Sequence, residues 1–200
     1  MAGQIDFYFD FSSPYGYLAS TQIEALAAKH GRKVHWRPIL LGAIFKLTGT
    51  VPIALVPLKS AYFRRDIERA ARRLDVPLTL PPQFPFGTVT ACRAFYLMEE
   101  ESADAAVRLA KALFHAAFAE GGDICPVEQV GAIADRAGFD GDAIMTGIQR
   151  PEVKARLKQA VDDAIARGVF GSPYITIDGE PFWGADRLDQ VDQWLTQGGW

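Results

Sequence analysis

Ile5-Asp6-Phe7-Tyr8-Phe9-Asp10-Phe11-Ser12-Ser13-Pro14-Tyr15-Gly16 turns from strand to helix within a few residues. Ile5, Phe7, Phe9 and Phe11 alternate onto one face of a strand, and Asp6, Tyr8 and Asp10 onto the other. Ser13 then has the character of an N-cap, with Pro14 at the first helical position. The unpaired N–H groups of such a first turn, together with the positive end of the helix, favour an anion. No cysteine lies in the turn, so the chain presents a hydroxyl there. A thiolate held at this place has to come from another molecule.

Leu18, Ala19, Ile23, Leu26 and Ala27 continue at helical spacing, and His30-Gly31 supplies a stop. Val34-His35-Trp36-Arg37 alternates as a second strand before Pro38, which completes a β-α-β unit. Near the other end, Tyr174–Ile177 and Glu180–Trp183 flank Asp178-Gly179, a two-residue hairpin signal. Pro181 assigns its strand to a sheet edge. A last helix carries Leu188, Val191 and Leu195 on one face, with Asp186 as its expected cap. Between them the chain reads as helix and loop. Apolar spacing marks helices at Phe63–Leu74, Val107–Phe118, Pro126–Ala137 and Pro151–Arg167, the last with Val153, Leu157, Val161 and Ile165 inward, and Thr88–Glu101 also reads as helix. The pattern is β-α-β, a helical block, then β-β-α. It predicts an α/β thioredoxin fold formed by residues 1–41 and 169–200, with an all-helical insertion over 42–168.

Bulk properties narrow the function. Two hundred residues suffice for one domain with a large insertion. A net charge of −3 gives no reason to expect nucleic acid or an anionic membrane as partner. Cys92 and Cys125 are too few for a disulfide framework and lack zinc-like spacing. The three histidines, His30, His35 and His115, are not spaced as metal ligands, and no phosphate-binding glycine loop occurs. No apolar run approaches the roughly 20 residues of a membrane span, and the strand-like start lacks the basic region of a signal peptide. The expectation is a cytoplasmic protein without a metal.

Taken together, the motifs resemble those of the 2-hydroxychromene-2-carboxylate isomerases and the related kappa-class glutathione transferases, the DsbA-like branch of the thioredoxin superfamily. Ser13-Pro14-Tyr15-Gly16 has the layout of the C-P-x-C turn of redox-active thioredoxins with both cysteines absent. The resemblance rests on Asp10–Tyr15, on Leu40–Phe45 with Thr48-Gly49, and on Lys59, Tyr62 and Arg65-Asp66. It continues through Phe84–Thr88 with Arg93, through Gly168–Pro173, and through Trp183–Leu188. Each is weak alone; together, in this order, they are specific.

The resemblance implies glutathione as cofactor. Ser13 matches the serine whose hydroxyl contacts the glutathione sulfur. Ser172 matches the residue before a cis-proline, here Pro173, whose backbone pairs with the cysteinyl part. Trp183, Gly184, Ala185, Asp186 and Arg187 match the loop that receives the γ-glutamyl end, and Lys59 matches a lysine near the glycyl carboxylate. The chain departs from the family at Thr50 and Gly87, where asparagine is usual. The implied reaction opens 2-hydroxychromene-2-carboxylate to trans-o-hydroxybenzylidenepyruvate by reversible thiolate addition, in a homodimeric enzyme of aromatic catabolism acting on a small aromatic carboxylate.

Other readings stay open at this level. A kappa-like transferase would use the same thiolate but release a conjugate, and a redox-dead binding module would turn nothing over. Ser13, Pro173 and Asp186 also fit ordinary roles as N-cap, turn proline and helix cap. Arg65, Arg69, Arg72 and Arg73 form a stripe that suits either a carboxylate or a solvated face, and Glu68 four residues before Arg72 favours the second. Cys125 before Pro126 suits either an acidified thiol or a small buried residue, and Cys92 reads as core. Phe45, Tyr62, Phe86 and Trp183 are candidate aromatic walls for a flat substrate.

Overall fold

In the computed structural model, which describes residues 3–200, the strands are β1 (Ile5–Phe9), β2 (Val34–Pro38), β3 (Tyr174–Ile177) and β4 (Glu180–Trp183). They form one sheet of order β2-β1-β3-β4, with β1 parallel to β2 and antiparallel to β3. Phe7 stands opposite Trp36 and Ile175, and Tyr8 opposite Arg37 and Tyr174. Asp178 and Gly179 both have positive φ, 53° and 97°, the backbone that a two-residue hairpin demands. Pro181 lies on the outer strand β4, where its missing N–H leaves no partner unpaired.

The β1–β2 crossover is two helices, α1 (Pro14–Ser20) and α2 (Ile23–Lys29), where apolar spacing predicts one. The hydroxyls of Ser20 and Thr21 and the amide of Gln22 bond back to the carbonyls of Tyr17 and Leu18. Such back-bonds compete with the helical ladder and end it. The block that follows contains α3 (Leu41–Thr48), α4 (Lys59–Arg73), α5 (Val89–Glu99), α6 (Ala103–Phe114), α7 (Val127–Arg136), α8 (Gly141–Gly147) and α9 (Pro151–Ala166). A π turn over His115–Ala119 extends α6, and α10 (Leu188–Gln197) closes the fold. Along α9 the inner face is Val153, Leu157, Val161 and Ala164, with Ile165 only half-buried. No helix among the described residues is long and apolar enough to cross a membrane.

One apolar core joins the sheet to the helical block. Phe9 meets Trp36, Phe95 and Phe114, and Phe11 meets Phe114, at ring separations of 5.0 to 6.1 Å. Each such aromatic pair adds about 0.5–1.5 kcal/mol beyond its buried area. The opposite face of the sheet is covered too: Tyr8 and Tyr174 pack with Ile39, Ile44, Ala164 and Val169. The alternation of β1 therefore divides two buried faces rather than core from solvent.

Asp10 follows β1 on this second face and is 2% exposed. Its Oδ1 accepts from Ser12 N–H at 2.8 Å, Ser12 Oγ at 2.9 Å and Thr88 Oγ1 at 2.9 Å, and Oδ2 accepts from Leu41 N–H at 2.6 Å. One side chain thus ties the turn before α1 to the starts of α3 and α5. Burial pushes its carboxyl above the usual range, against the opposing pull of these four donors. Asp10→Asn places an NH2 group where at least one donor now points, leaving a buried polar group unpaired. The expected cost is about 1–3 kcal/mol, a fall in melting temperature of roughly 3–10 °C. Calorimetry reads it; an unchanged midpoint would mean that this bonding adds nothing to the fold.

Candidate functional site

α1 begins where β1 ends, so Ser13 sits at the carboxyl end of a central strand. Its backbone is extended (φ −93°, ψ 110°), and its Oγ accepts from Gly16 N–H at 3.0 Å, as an N-cap does. The same hydroxyl donates to the Ser172 carbonyl at 3.0 Å. Ser172 in turn accepts, on its Oγ, the backbone N–H of Asp10 at 2.9 Å. The Ser172–Pro173 peptide is cis, as the resemblance implies. A Cβ at Gly16 would lie 3.0 Å from Ser172 Oγ and 3.2 Å from Ser13 Cβ, so a side chain there would press Ser172 and Ser13 away from the helix. Ser13 itself is 6% exposed. Among the described residues, the N–H groups of Tyr15 and Ser172 have no partner. Two free N–H groups and one hydroxyl thus meet at the junction of α1 with the Pro173 loop.

The 183–187 loop joins this junction from the far edge of the sheet. Gly184 N–H donates to the Pro173 carbonyl at 3.0 Å, and the Ala185–Arg187 turn packs against α1. Gly184 has φ 117°, a backbone that residues with side chains rarely adopt, and a Cβ there would have to displace the exposed Asp186 carboxylate. Asp186 does not cap α10, contrary to expectation. The chain enters that helix through a 3-10 turn, Arg187 occupies the capping position with helical backbone, and no side chain caps it. Asp186 is exposed and meets Arg187 Nη1 at 3.5 Å. Trp183 is 56% exposed, lies over Gly171 and crosses Phe170 edge-on at 4.9 Å.

Helix α4 passes on the other side of α1. Tyr15 Oη donates to Asp66 Oδ2 at 2.6 Å, and Tyr62 Oη and Arg69 converge on Oδ1 of the same carboxylate. The Tyr15 bond, helped by Arg69, holds the Asp66 carboxyl below the usual range, while burial and the facing carboxylate push the Tyr15 phenol well up. Lys59 starts α4 on the helical face of Tyr62 and Asp66; it is exposed and makes no ion pair among the described residues. Ser13, Ser172, Pro173, Gly184 and Ala185 are therefore gathered round one point, with Asp186, Arg187 and Trp183 on its rim and Lys59 farther along α4. Of the arginine stripe, Arg69 serves Asp66 and Arg72 lies 3.9 Å from Glu68, as on a solvated face.

Neither cysteine offers a reactive thiol here. Cys125 donates to the Gly87 carbonyl at 3.2 Å, and burial with the neighbouring Asp123 carboxylate pushes it up to about 11, the reverse of acidification. Cys92 is fully buried, and burial raises its thiol well above the ordinary value. No His/Cys/Asp/Glu cluster suited to a metal ion occurs among the described residues. Sequence spacing misses the Tyr15–Asp66 bond and the part played by Asp10. The first joins residues 51 apart; for the second, Asp10 looks in the sequence no different from Asp6 on the same face of the run.

Residues 4–196 match the model of the DSBA-like thioredoxin domain. A 2-hydroxychromene-2-carboxylate isomerase of Sphingobium xenophagum is 33% identical, over 98% of this chain and 99% of its own. A glutathione S-transferase kappa 1 of Caenorhabditis elegans is 25% identical, over 97% and 91%. Among solved structures, a 2-hydroxychromene-2-carboxylate isomerase superposes with a TM-score of 0.85 at 26% identity, covering 97% of this chain and 95% of its own.

The Tyr15–Asp66 bond yields a pH signature. Because the Asp66 carboxyl is lowered in the folded chain, its contribution is present above the unfolded value, near 4, and is lost as pH falls through the lower folded value. Tyr15→Phe should therefore destabilise the protein at pH 7 and make little difference in strong acid. Denaturation midpoints across that range check it; an equal loss at both ends would mean that the bond is not to an ionised Asp66.

Proposed function

The chain belongs to the DSBA-like thioredoxin family, among the 2-hydroxychromene-2-carboxylate isomerases and their kappa-transferase relatives, and we propose that it is a glutathione-dependent isomerase. The observation that carries this reading is the Ser13 hydroxyl, set between the cap of α1 and the Ser172 carbonyl where a redox thioredoxin has cysteine. The surroundings fit an incoming thiol: two backbone N–H groups stand free, and both cysteines of the chain are held elsewhere.

When bound, glutathione supplies a thiolate that adds to a conjugated double bond and departs once the resulting single bond has rotated. The protein's part is to hold that sulfur and share its charge. Ser13 has one proton, now given to the Ser172 carbonyl. Once a ligand N–H takes over that carbonyl, the Ser13 O–H is free to swing towards sulfur while still accepting from Gly16 N–H. The N–H groups of Tyr15 and Ser172 add two more donors. Each tenfold gain in thiolate population corresponds to about 1.4 kcal/mol of preferential binding. Asp186 and Arg187, on the rim, receive the charged γ-glutamyl end, and Lys59 faces the glycyl carboxylate. Tyr62, exposed on α4, and Phe86 serve as walls for the ring of 2-hydroxychromene-2-carboxylate, which opens to trans-o-hydroxybenzylidenepyruvate.

Substoichiometric glutathione with 2-hydroxychromene-2-carboxylate tests the proposal. Product should far exceed the glutathione supplied, with free thiol unchanged at the end. Ser13→Ala should lose about 1 kcal/mol of stability as a missing cap while turnover falls by at least about tenfold, one lost charge-assisted hydrogen bond. If turnover stops after one equivalent and a thioether accumulates, the protein is a transferase. Undiminished turnover in Ser13→Ala would remove Ser13 from the chemistry.

A further inference from the structure

From Phe45 to Tyr62 no residue is buried, and Leu47, Val51, Ile53, Leu55 and Leu58 stand 45–94% exposed. Of the apolar residues in this stretch, Ala54 alone packs against the core. Leu58, just before α4, has φ 67° and gives the helix no side-chain cap. Phe63 is the first residue of α4 to be buried, followed by Ile67 and Ala71. Lys59 and Tyr62 lie ahead of it, so the part of α4 that faces a ligand is the part with least packing to hold it.

One polar contact ties this end of α4 to the head of α1. The Tyr15 hydroxyl donates to Asp66 Oδ2 at 2.6 Å, and among the described residues no other side-chain hydrogen bond or ion pair joins α1 to α4. The Tyr15 ring crosses Phe63 edge-on at 6.0 Å, and Phe63 stacks on Phe84 at 5.8 Å. Oδ1 of Asp66 takes Arg69 and, at 3.3 Å, the hydroxyl of Tyr62, which lies four residues away on the same helical face. The Arg69 guanidinium also stands 5.9 Å from the centre of the Tyr62 ring. Arg69 already offsets the Asp66 charge, so what the Tyr15 hydroxyl adds is a fixed orientation. Tyr15 itself sits in the turn that carries Ser13, and its backbone N–H is one of the two free donors there.

We propose that the Tyr15 side chain is a positioning residue: through Asp66 it sets the first turns of α4 against the head of α1, and so fixes the span from the sulfur site at Ser13 to Lys59 and Tyr62. The inference rests on the glutathione reading of this site. Its consequence is a division of labour within one residue. The backbone of Tyr15 serves the sulfur, and its hydroxyl serves the distance to the groups that receive the glycyl end and the aromatic ring.

Calorimetric binding of glutathione and of S-benzylglutathione, a thioether that spans both ends of the site and has no thiolate, tests this. Tyr15→Phe keeps the ring on Phe63 and the backbone N–H, and removes the hydroxyl alone. It should weaken S-benzylglutathione about tenfold, within what one hydrogen bond to a charged group can transmit. The thiolate midpoint of bound glutathione should stay at the wild-type value. Asp66→Ala should match Tyr15→Phe, and the double variant should bind no more weakly than either single one. Asp66→Asn, which keeps an acceptor for Tyr15, should recover most of the affinity. A bond that serves stability alone would lower the thermal midpoint and leave both affinities unchanged, and that result would overturn the proposal. A thiolate midpoint that rises in Tyr15→Phe would overturn it as well, by placing the hydroxyl's effect on the sulfur. If the wild-type chain binds neither ligand, the glutathione reading itself fails, and the positioning role with it.

Discussion

The Asp10 carboxyl is buried without a cation, and it persists there because backbone and hydroxyl donors from three segments close round it. Ser12, Leu41 and Thr88 each give it a hydrogen bond, and its own N–H holds Ser172 Oγ. That geometry places the turn before α1, the first helix of the inserted block, the start of α5 and the Pro173 loop at fixed distances from one another. Ser13 inherits its position from this arrangement, since its own N–H donates to the Asp10 carbonyl at 2.9 Å. The site is thus built by the same residue that joins the helical block to the sheet. A change in either part reaches the other through a few short bonds.

A serine at the head of α1 alters what the fold does. With cysteine there, the chain itself would carry the sulfur. With Ser13, Gly16 and two poorly acidic thiols held by other contacts, the chain carries hydrogen-bond donors, and on the proposed reading the sulfur arrives with a ligand. Gly16 belongs to the same logic, because its missing side chain is what lets Ser172 come so close to the helix.

Much of this was legible beforehand. The period-two run of β1, the Asp178-Gly179 turn and the edge proline Pro181 sufficed for the sheet, and apolar spacing located α4, α6, α7 and α9. The break between α1 and α2 was not legible, because back-bonding by Ser20, Thr21 and Gln22 leaves the apolar spacing intact. α3 buries only Ile44, so it has almost no inner face to betray it, and α8 spans two turns at most. Asp186 had the right residue type for a cap, but the 3-10 turn moved the start of α10 past it. Tyr15 and Asp66 meet through packing of two separate helices, which no local pattern encodes. The motif residues round Ser13 were legible individually, whereas the role of Asp10 depends on both sheet faces being covered, a property of the tertiary fold alone.

The central claim is that the junction of α1 with the Pro173 loop stabilises a thiolate brought in by glutathione. Thiolate absorbance of the protein–glutathione complex, titrated against pH, tests it most directly. The chain's own thiols stay silent over the useful range, since Cys125 is pushed up to about 11 and Cys92 is raised well above its ordinary value. The expected result is a midpoint for bound glutathione at least about one unit below the ordinary thiol value near 8.5. A midpoint at or above that value would contradict the account.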